Sequence, residues 1–312
     1  MFLTVGNLLL LGYIWIYTLR TENASFTAEL RQVGPNVTPT LLAGIGLTGI
    51  IFCGAIDLSI GGILVVAGTV FGILYHHQAP PFVCFIACCA VAWGLSYLNG
   101  HIIRWLRIPA IIVTLAGLTF YRGCALVLAD YCIEDFGGQI SILKQEYKTP
   151  GEAYATWILV FGLVAAMLLE INGKAPRTWL ALGGSPKALR LKGLNEDRVL
   201  QSAFAVGGLF LGLGGLAYVT NLSTIEPSRM ALGFELQVVG AVVLGGTNIF
   251  GGEGSLLGTA LGATFLYLIG KAMIYVGISP YWRVAIQGAM IIGVIGLDCA
   301  LHRSRRLLEE LR

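Results

Sequence analysis

"CGAIDLSIGG", Cys53 to Gly62, places an aspartate and a serine between two apolar runs, 39–55 and 62–78. Each run is close to the length that crosses a bilayer, about 20 residues. A carboxylate is costly in hydrocarbon, so the stretch reads as a break in a membrane span with glycines on both sides. Non-helical backbone survives at membrane depth only when buried in protein or lining a wet cavity. Asp57 then has two readings. It caps the following helix by accepting from the free amides of its first turn, with Ser59 and Gly61 completing the turn, or it contacts a polar solute in a pathway. No second acidic residue faces it from a neighbouring run, which argues against ion or proton coupling.

Working outward, apolar runs recur along the whole chain: 2–18, 39–55, 62–78, 81–99, 109–129, 153–171, 199–220, 236–250, 255–276 and 282–299. Hydrophobic residues make up 56% of the chain and charged residues 12%, with a mean hydropathy of +0.78. A soluble domain carries about 25% charge. The fold class is therefore an all-α polytopic membrane protein, with about ten transmembrane helices and interrupted glycine-rich segments. Residues 1–312 form a single transmembrane domain. The run 2–18 lacks a basic flank and a small-residue cleavage site, so it reads as a span rather than a signal peptide. A second break falls at Gly245 to Gly254, within "LGGTNIFGGEGSLLGTALGA". Interrupted spans of this kind mark transport pathways. Asp57, Ser59, Thr114, Thr247 and Asn248 are the pathway candidates, each beside an interrupted or polar part of a span.

Basic residues set the orientation. With the N-terminus inside, the inner side receives Arg104, Arg107, Lys174, Arg177, Lys187, Arg190, Lys192, Arg198, Arg303, Arg305, Arg306 and Arg312. The outer side receives Arg20, Arg31, Lys144, Lys148 and Arg229, with Lys271 and Arg283 at its edge. Both termini are expected in the cytoplasm. The loop 130–152 is then external and 172–198 is internal. Within the internal loop, Ser185 is an N-cap, Pro186 takes the first helical position and Gly193 ends two turns. That short helix is either a surface connector or a knob gripped by a cytoplasmic partner.

Several chemistries are not encoded. No G-x-x-x-x-G-K-[ST] stretch is present, so a nucleotide would have to be hydrolysed by another chain. No HExxH or GxSxG stretch is present, and His76, His77, His101 and His302 meet no nucleophile that would make an enzyme. The seven cysteines sit mostly in apolar runs without metal-ligand spacing, so no metal, cofactor or disulfide framework is expected. Nothing calls for nucleic acid. An ion-coupled secondary transporter of a small polar solute is the alternative, and it would need coupling carboxylates inside spans.

Four stretches together resemble the ribose-type (monosaccharide or autoinducer-2) permeases of ABC importers, in the branched-chain amino acid/ribose permease superfamily. They are "CGAIDLSIGG", "IPAIIVTLAGLTFYRG" (Ile108–Gly123), "GGSPKALRLKGLNEDRV" (Gly183–Val199) and "LGFELQVVGAVVLGGTNIFGGEGSLLGT" (Leu232–Thr259). The resemblance implies a permease subunit in the bacterial inner membrane and a second permease subunit, identical or different. It also implies a cytoplasmic ABC ATPase and a periplasmic or lipid-anchored sugar-binding protein. It makes Ser185, Pro186, Lys187, Ala188, Leu189, Arg190, Leu191 and Gly193 the coupling helix that docks into the ATPase. Ser185 stands where the family has asparagine, Gly62 where it has serine and Gln237 where it has aspartate. The chain also starts late against that pattern, so the usual cytoplasmic lead-in is expected to be missing.

Overall fold

A computed structural model describes residues 2–20, 26–129, 150–222 and 225–279, with isolated helical residues between 282 and 296. The external loop expected at 130–152 lies almost wholly outside the described residues. The described chain is built from helices: α1 (Phe2–Arg20), α2 (Phe26–Phe52), α3 (Ile60–His76), α4 (Pro81–Leu106), α5 (Ala110–Leu128), α6 (Pro150–Asn172), α7 (Lys174–Gly184), α8 (Pro186–Leu191), α9 (Glu196–Thr220), α10 (Phe234–Leu244) and α11 (Leu256–Tyr275). Five of them (α2, α4, α5, α9 and α11) are long and apolar enough to cross a membrane. A sixth span results if Trp157–Ile171 and Lys174–Gly184, bent by 67°, count together. Leu3–Thr18, Ile60–His76 and Phe234–Leu244 are shorter apolar helices.

The helix α2 is the axis of the bundle. Its apolar window is 94% buried, against 22% in α4 and in α5, which turn most of their surface outward. It packs on α9, α11, α6 and α10, and α9 in turn packs on α4. Lipid tails are as apolar as leucine, so close packing and hydrogen bonds between helices hold such a bundle. Gly46 and Gly207 face each other across α2 and α9, and a side chain on either would run into the other's carbonyl. Polar contacts add to this. Thr48 and Thr259 hydroxyls pair at 2.6 Å between α2 and α11. Ser96 Oγ and Gln201 Nε2 donate to the Phe204 and Tyr97 carbonyls at 2.9 Å each, joining α4 to α9.

Two prolines, Pro35 and Pro39, lie inside α2. Pro39 has no N–H for the Pro35 carbonyl four residues earlier. Asn221, at the end of α9, donates its Nδ2 to that carbonyl at 2.9 Å. The helix therefore continues through both prolines and begins well before the apolar run at 39–55.

Two segments leave the helical pattern within the bundle. Residues 53–59 link α2 to α3, and 245–255 link α10 to α11. Gly61 was expected in the turn but lies inside α3, because Ser59 already occupies the N-cap position. A third irregular segment, 225–233, packs on the bundle, with Met230 against Gly68 of α3. Its turn carries left-handed backbone at Ala231 and Gly233, and Arg122 of α5 donates to the Met230 and Ala231 carbonyls at 3.3 and 3.1 Å.

Candidate functional site

The break at 53–59 is fixed by a chain of buried side chains. Asp57 Oδ1 accepts from the Ser59 amide at 2.8 Å and from the Ser59 hydroxyl at 2.5 Å. The amide contact is an Asx-turn, a short side chain standing in for backbone two residues on. Ser59 Oγ accepts from Asn99 Nδ2 of α4 at 2.8 Å. Asn99 Oδ1 accepts from the Tyr121 hydroxyl of α5 at 2.6 Å. Thr114 Oγ1 of α5 donates to the Ile56 carbonyl at 3.2 Å. Asp57 and Asn99 are each 1% exposed, and Ser59 and Thr114 are fully buried.

This corrects one sequence expectation. Asp57 does not cap α3 by accepting from its first-turn amides. It shapes the turn that delivers Ser59 to the cap position, and the Ser59 side chain makes no cap hydrogen bond of its own. The sequence reading also missed Asn99 and Tyr121. Asn99 stands at the end of the run 81–99, where one polar residue carries no periodic signal, and Tyr121 looks like any apolar-face aromatic.

Thr247 and Asn248 lie apart from this chain, in the second break. Thr247 is 3% exposed, its amide donates to the Val242 carbonyl at 3.3 Å, and its Oγ1 has no partner among the described residues. Asn248 folds the turn on itself. Its Oδ1 accepts from the Phe250 amide at 3.0 Å and its amide donates to the Glu253 carbonyl at 3.1 Å. The two breaks meet backbone to backbone at glycines. Gly251, in left-handed backbone (φ +88°), lies against Gly54, and Gly252 lies against Gly183 and Gly184 at the end of α7. The Gly252 amide donates to the Phe52 carbonyl at 3.1 Å. A Cβ on Gly183 or Gly251 would enter neighbouring backbone, so only glycine permits the contact.

Glu235 lies at the meeting of two helices. It occupies the first turn of α10, and its carboxylate lies against Gly61 in the first turn of α3. Its Oε2 is buried without a hydrogen-bond partner among the described residues. It lies at the N-terminal, positive-dipole ends of both helices. From this level α10 descends to the glycine contact through 11 residues, about 16 Å, or roughly half a bilayer core.

From Gly184 the chain passes directly into α8. Ser185 Oγ accepts from the Ala188 amide at 3.3 Å, and Pro186 is the first helical residue. At the other end, Gly193 (φ +74°) closes a Schellman turn: its amide donates to Arg190 O at 2.9 Å and the Leu194 amide to Leu189 O at 3.3 Å. Leu189 is 1% exposed and roots the helix in the core, whereas Leu191 is 90% exposed. Lys187, Ala188 and Arg190 are also exposed. Arg190 Nε pairs with Glu196 at 2.6 Å, tying α8 to the start of α9. An open groove beside α8 is lined by Arg190, Gly193, Leu194, Asn195, Glu196 and Asp197.

Among curated proteins, the chain is similar to autoinducer 2 import system permease proteins LsrC from several bacteria. The Yersinia enterocolitica protein is 28% identical over 282 residues, covering 87% of this chain and 76% of that protein. The Salmonella typhimurium protein is 29% identical over 277 residues, covering 87% and 79%. The Photorhabdus luminescens protein is 27% identical over 273 residues, covering 84% and 80%. No solved structure matches the chain. Residues 36–295, which hold both breaks, α8 and the Asp57 chain, match the family described as branched-chain amino acid transport system / permease component, and the protein belongs to that family.

Proposed function

We propose that this chain is the transmembrane permease subunit of a binding-protein-dependent ABC importer of sugar type. It carries a monosaccharide or similar small polyol into the cytoplasm, and autoinducer 2, named for its relatives, is the first solute to test. ATP is hydrolysed by separate ATPase chains at the cytoplasmic face. A second permease subunit completes the pathway, and a periplasmic or lipid-anchored binding protein delivers the solute. The chain spans the bacterial inner membrane about ten times with both termini inside, as the basic residues at 172–198 and 303–312 favour.

The observation that carries this reading is the construction of α8. A short helix transmits force when its ends are fixed, its root is buried and its outer face is free. Ser185 and Gly193 fix the ends, Leu189 is the root, and Leu191 with Lys187, Ala188 and Arg190 forms the free face. Leu191, 90% exposed two residues after the buried Leu189, offers an apolar contact for a partner. The ion-coupled alternative finds no comparable support in Asp57, whose carboxylate is engaged by Ser59.

The test is Ala188→Arg in the assembled importer in proteoliposomes. Arginine at an exposed helix position leaves folding and insertion intact. ATPase co-purification, or the coupling of hydrolysis to autoinducer 2 uptake, is expected to fall about tenfold or more, as for loss of a packed interface contact of about 1.4 kcal/mol. Wild-type uptake and ATPase association in that variant would refute the coupling role.

A further inference from the structure

The non-helical segment 53–59 invites reading as a hinge, yet it is held at its start, middle and end by three separate parts of the fold. At its start, Gly54 is packed by the backbone of Gly251, and the Phe52 carbonyl just before it accepts from Gly252. In its middle, the Ile56 carbonyl accepts from Thr114 of α5. At its end, Asp57 and Ser59 are locked to Asn99 of α4 and, through it, to Tyr121 of α5. The side chains involved are nine-tenths or more buried. At such buried positions hydrogen bonds strengthen one another, and leaving one unmade is costly.

The start of this segment also shares its glycine contact with Gly183 and Gly184, which lead straight into α8. Seven residues therefore connect the α8 end of the molecule to the foot of α3, held at Gly54, Ile56, Asp57 and Ser59. We propose that residues 53–59 are a rigid strut that carries displacement of α8 to α3, and that Asn99 and Tyr121 are its positioning residues. The proposal rests on the reading of α8 as the coupling helix.

Each member of the side-chain chain orients the next. The Tyr121 hydroxyl donates to Asn99 Oδ1, which directs the amide Nδ2 at Ser59. The Ser59 oxygen, having accepted, turns its proton to Asp57. Removal of Tyr121 oxygen or of the Asn99 amide loosens the same link, so the two changes are expected to be non-additive. Independent packing roles would add.

The experiment uses the complete importer, with its partner permease subunit, ATPase and binding protein, in lipid nanodiscs. Spin labels on unnatural amino acids at Lys192, beyond α8, and His77, at the far end of α3, report the length of the connection; both positions are exposed. The wild-type distance is expected to stay the same when the ATPase is trapped with ATP and vanadate. In Tyr121→Phe and in Asn99→Leu the distance changes on trapping. Stimulation of ATP hydrolysis by the binding protein falls about tenfold, the rate equivalent of one hydrogen bond, and the double variant is no worse than either single one. A wild-type distance that changes on trapping overturns the strut, as do variants that match wild type in both measurements. Failure of the coupling reading looks different: Ala188→Arg then leaves ATPase association and stimulation untouched, whatever the label distance does.

Discussion

Replacing Asp57 with leucine keeps the branching of the side chain, enlarges it at a buried position and removes both acceptor oxygens. The Ser59 amide and hydroxyl lose their shared acceptor in a site where Asp57 is 1% exposed. Each buried donor left unmet costs about 1–3 kcal/mol. Two of them give about 4 kcal/mol, and the strain passes to Asn99 through the Ser59 oxygen. Asp57→Asn behaves differently. Its Oδ1 still accepts from both Ser59 donors, and loss of a buried charge offsets part of the cost of burying the new amide hydrogens, so the change stays within about 2 kcal/mol. Melting in detergent micelles followed by alkylation of Cys84 and Cys88, resolved by mass spectrometry from the partly exposed Cys53, Cys89 and Cys124, reads this directly, because these two free thiols are fully buried. Asp57→Leu is expected to melt roughly 8 °C or more below wild type, at about 2 °C per kcal/mol for a chain of this size, and Asp57→Asn less than half as far. Leucine melting with wild type, or asparagine falling as low as leucine, would refute the Asx-turn account.

Gly262→Ala drives a Cβ into the Ala241 carbonyl and the Gly245 amide of α10, so it costs about 1–3 kcal/mol, whereas Gly270→Ala in the same helix meets nothing and gains about 0.5–1 kcal/mol; the same thermal assay should separate the two in opposite directions. Lys271 of α11 pairs with Glu29 of α2 and donates to Gln32 Oε1 at 3.1 Å, with side chains only 16% and 19% exposed. Lys271→Met alone leaves a buried carboxylate and should cost about 3–5 kcal/mol, while the double change Glu29→Gln with Lys271→Met should recover most of it; equal melting of single and double variants would contradict the buried pair.

What the sequence made legible is what local chemistry writes into a few adjacent residues. The ends of α8 follow from a serine-proline start and a glycine stop, and the structure gives the cap at Ser185 and the Schellman turn at Gly193. Both breaks announce themselves as glycine and polar residues inside apolar runs. The start of α2 at Phe26 is not legible in this way. Glu29, Gln32, Pro35 and Pro39 lower the hydropathy and oppose a helix, and the compensations come from Lys271 and Asn221, more than 180 residues away in sequence. The packing of 225–233 is equally hidden: its neighbours Glu226, Pro227 and Arg229 are polar or helix-breaking, and nothing local says that Met230 is buried against α3.

The two breaks are held by different means, and that difference explains which of their partners were readable. The second break depends on backbone approaching backbone, and the only residue that permits this is glycine, so Gly251 and Gly252 carry their role in their identity. The first break depends on side chains reaching across from α4 and α5. An asparagine or tyrosine in an apolar run has many uses, and nothing in its neighbours says which acceptor or donor it meets. Asn99 can serve Ser59 only because α4 packs on α3 with Gly100 against Phe204 of α9, which sets the rotation of α4 about its own axis. The function of Asn99 is therefore a property of that packing, and it becomes visible only once the glycine contacts have fixed how the helices lie.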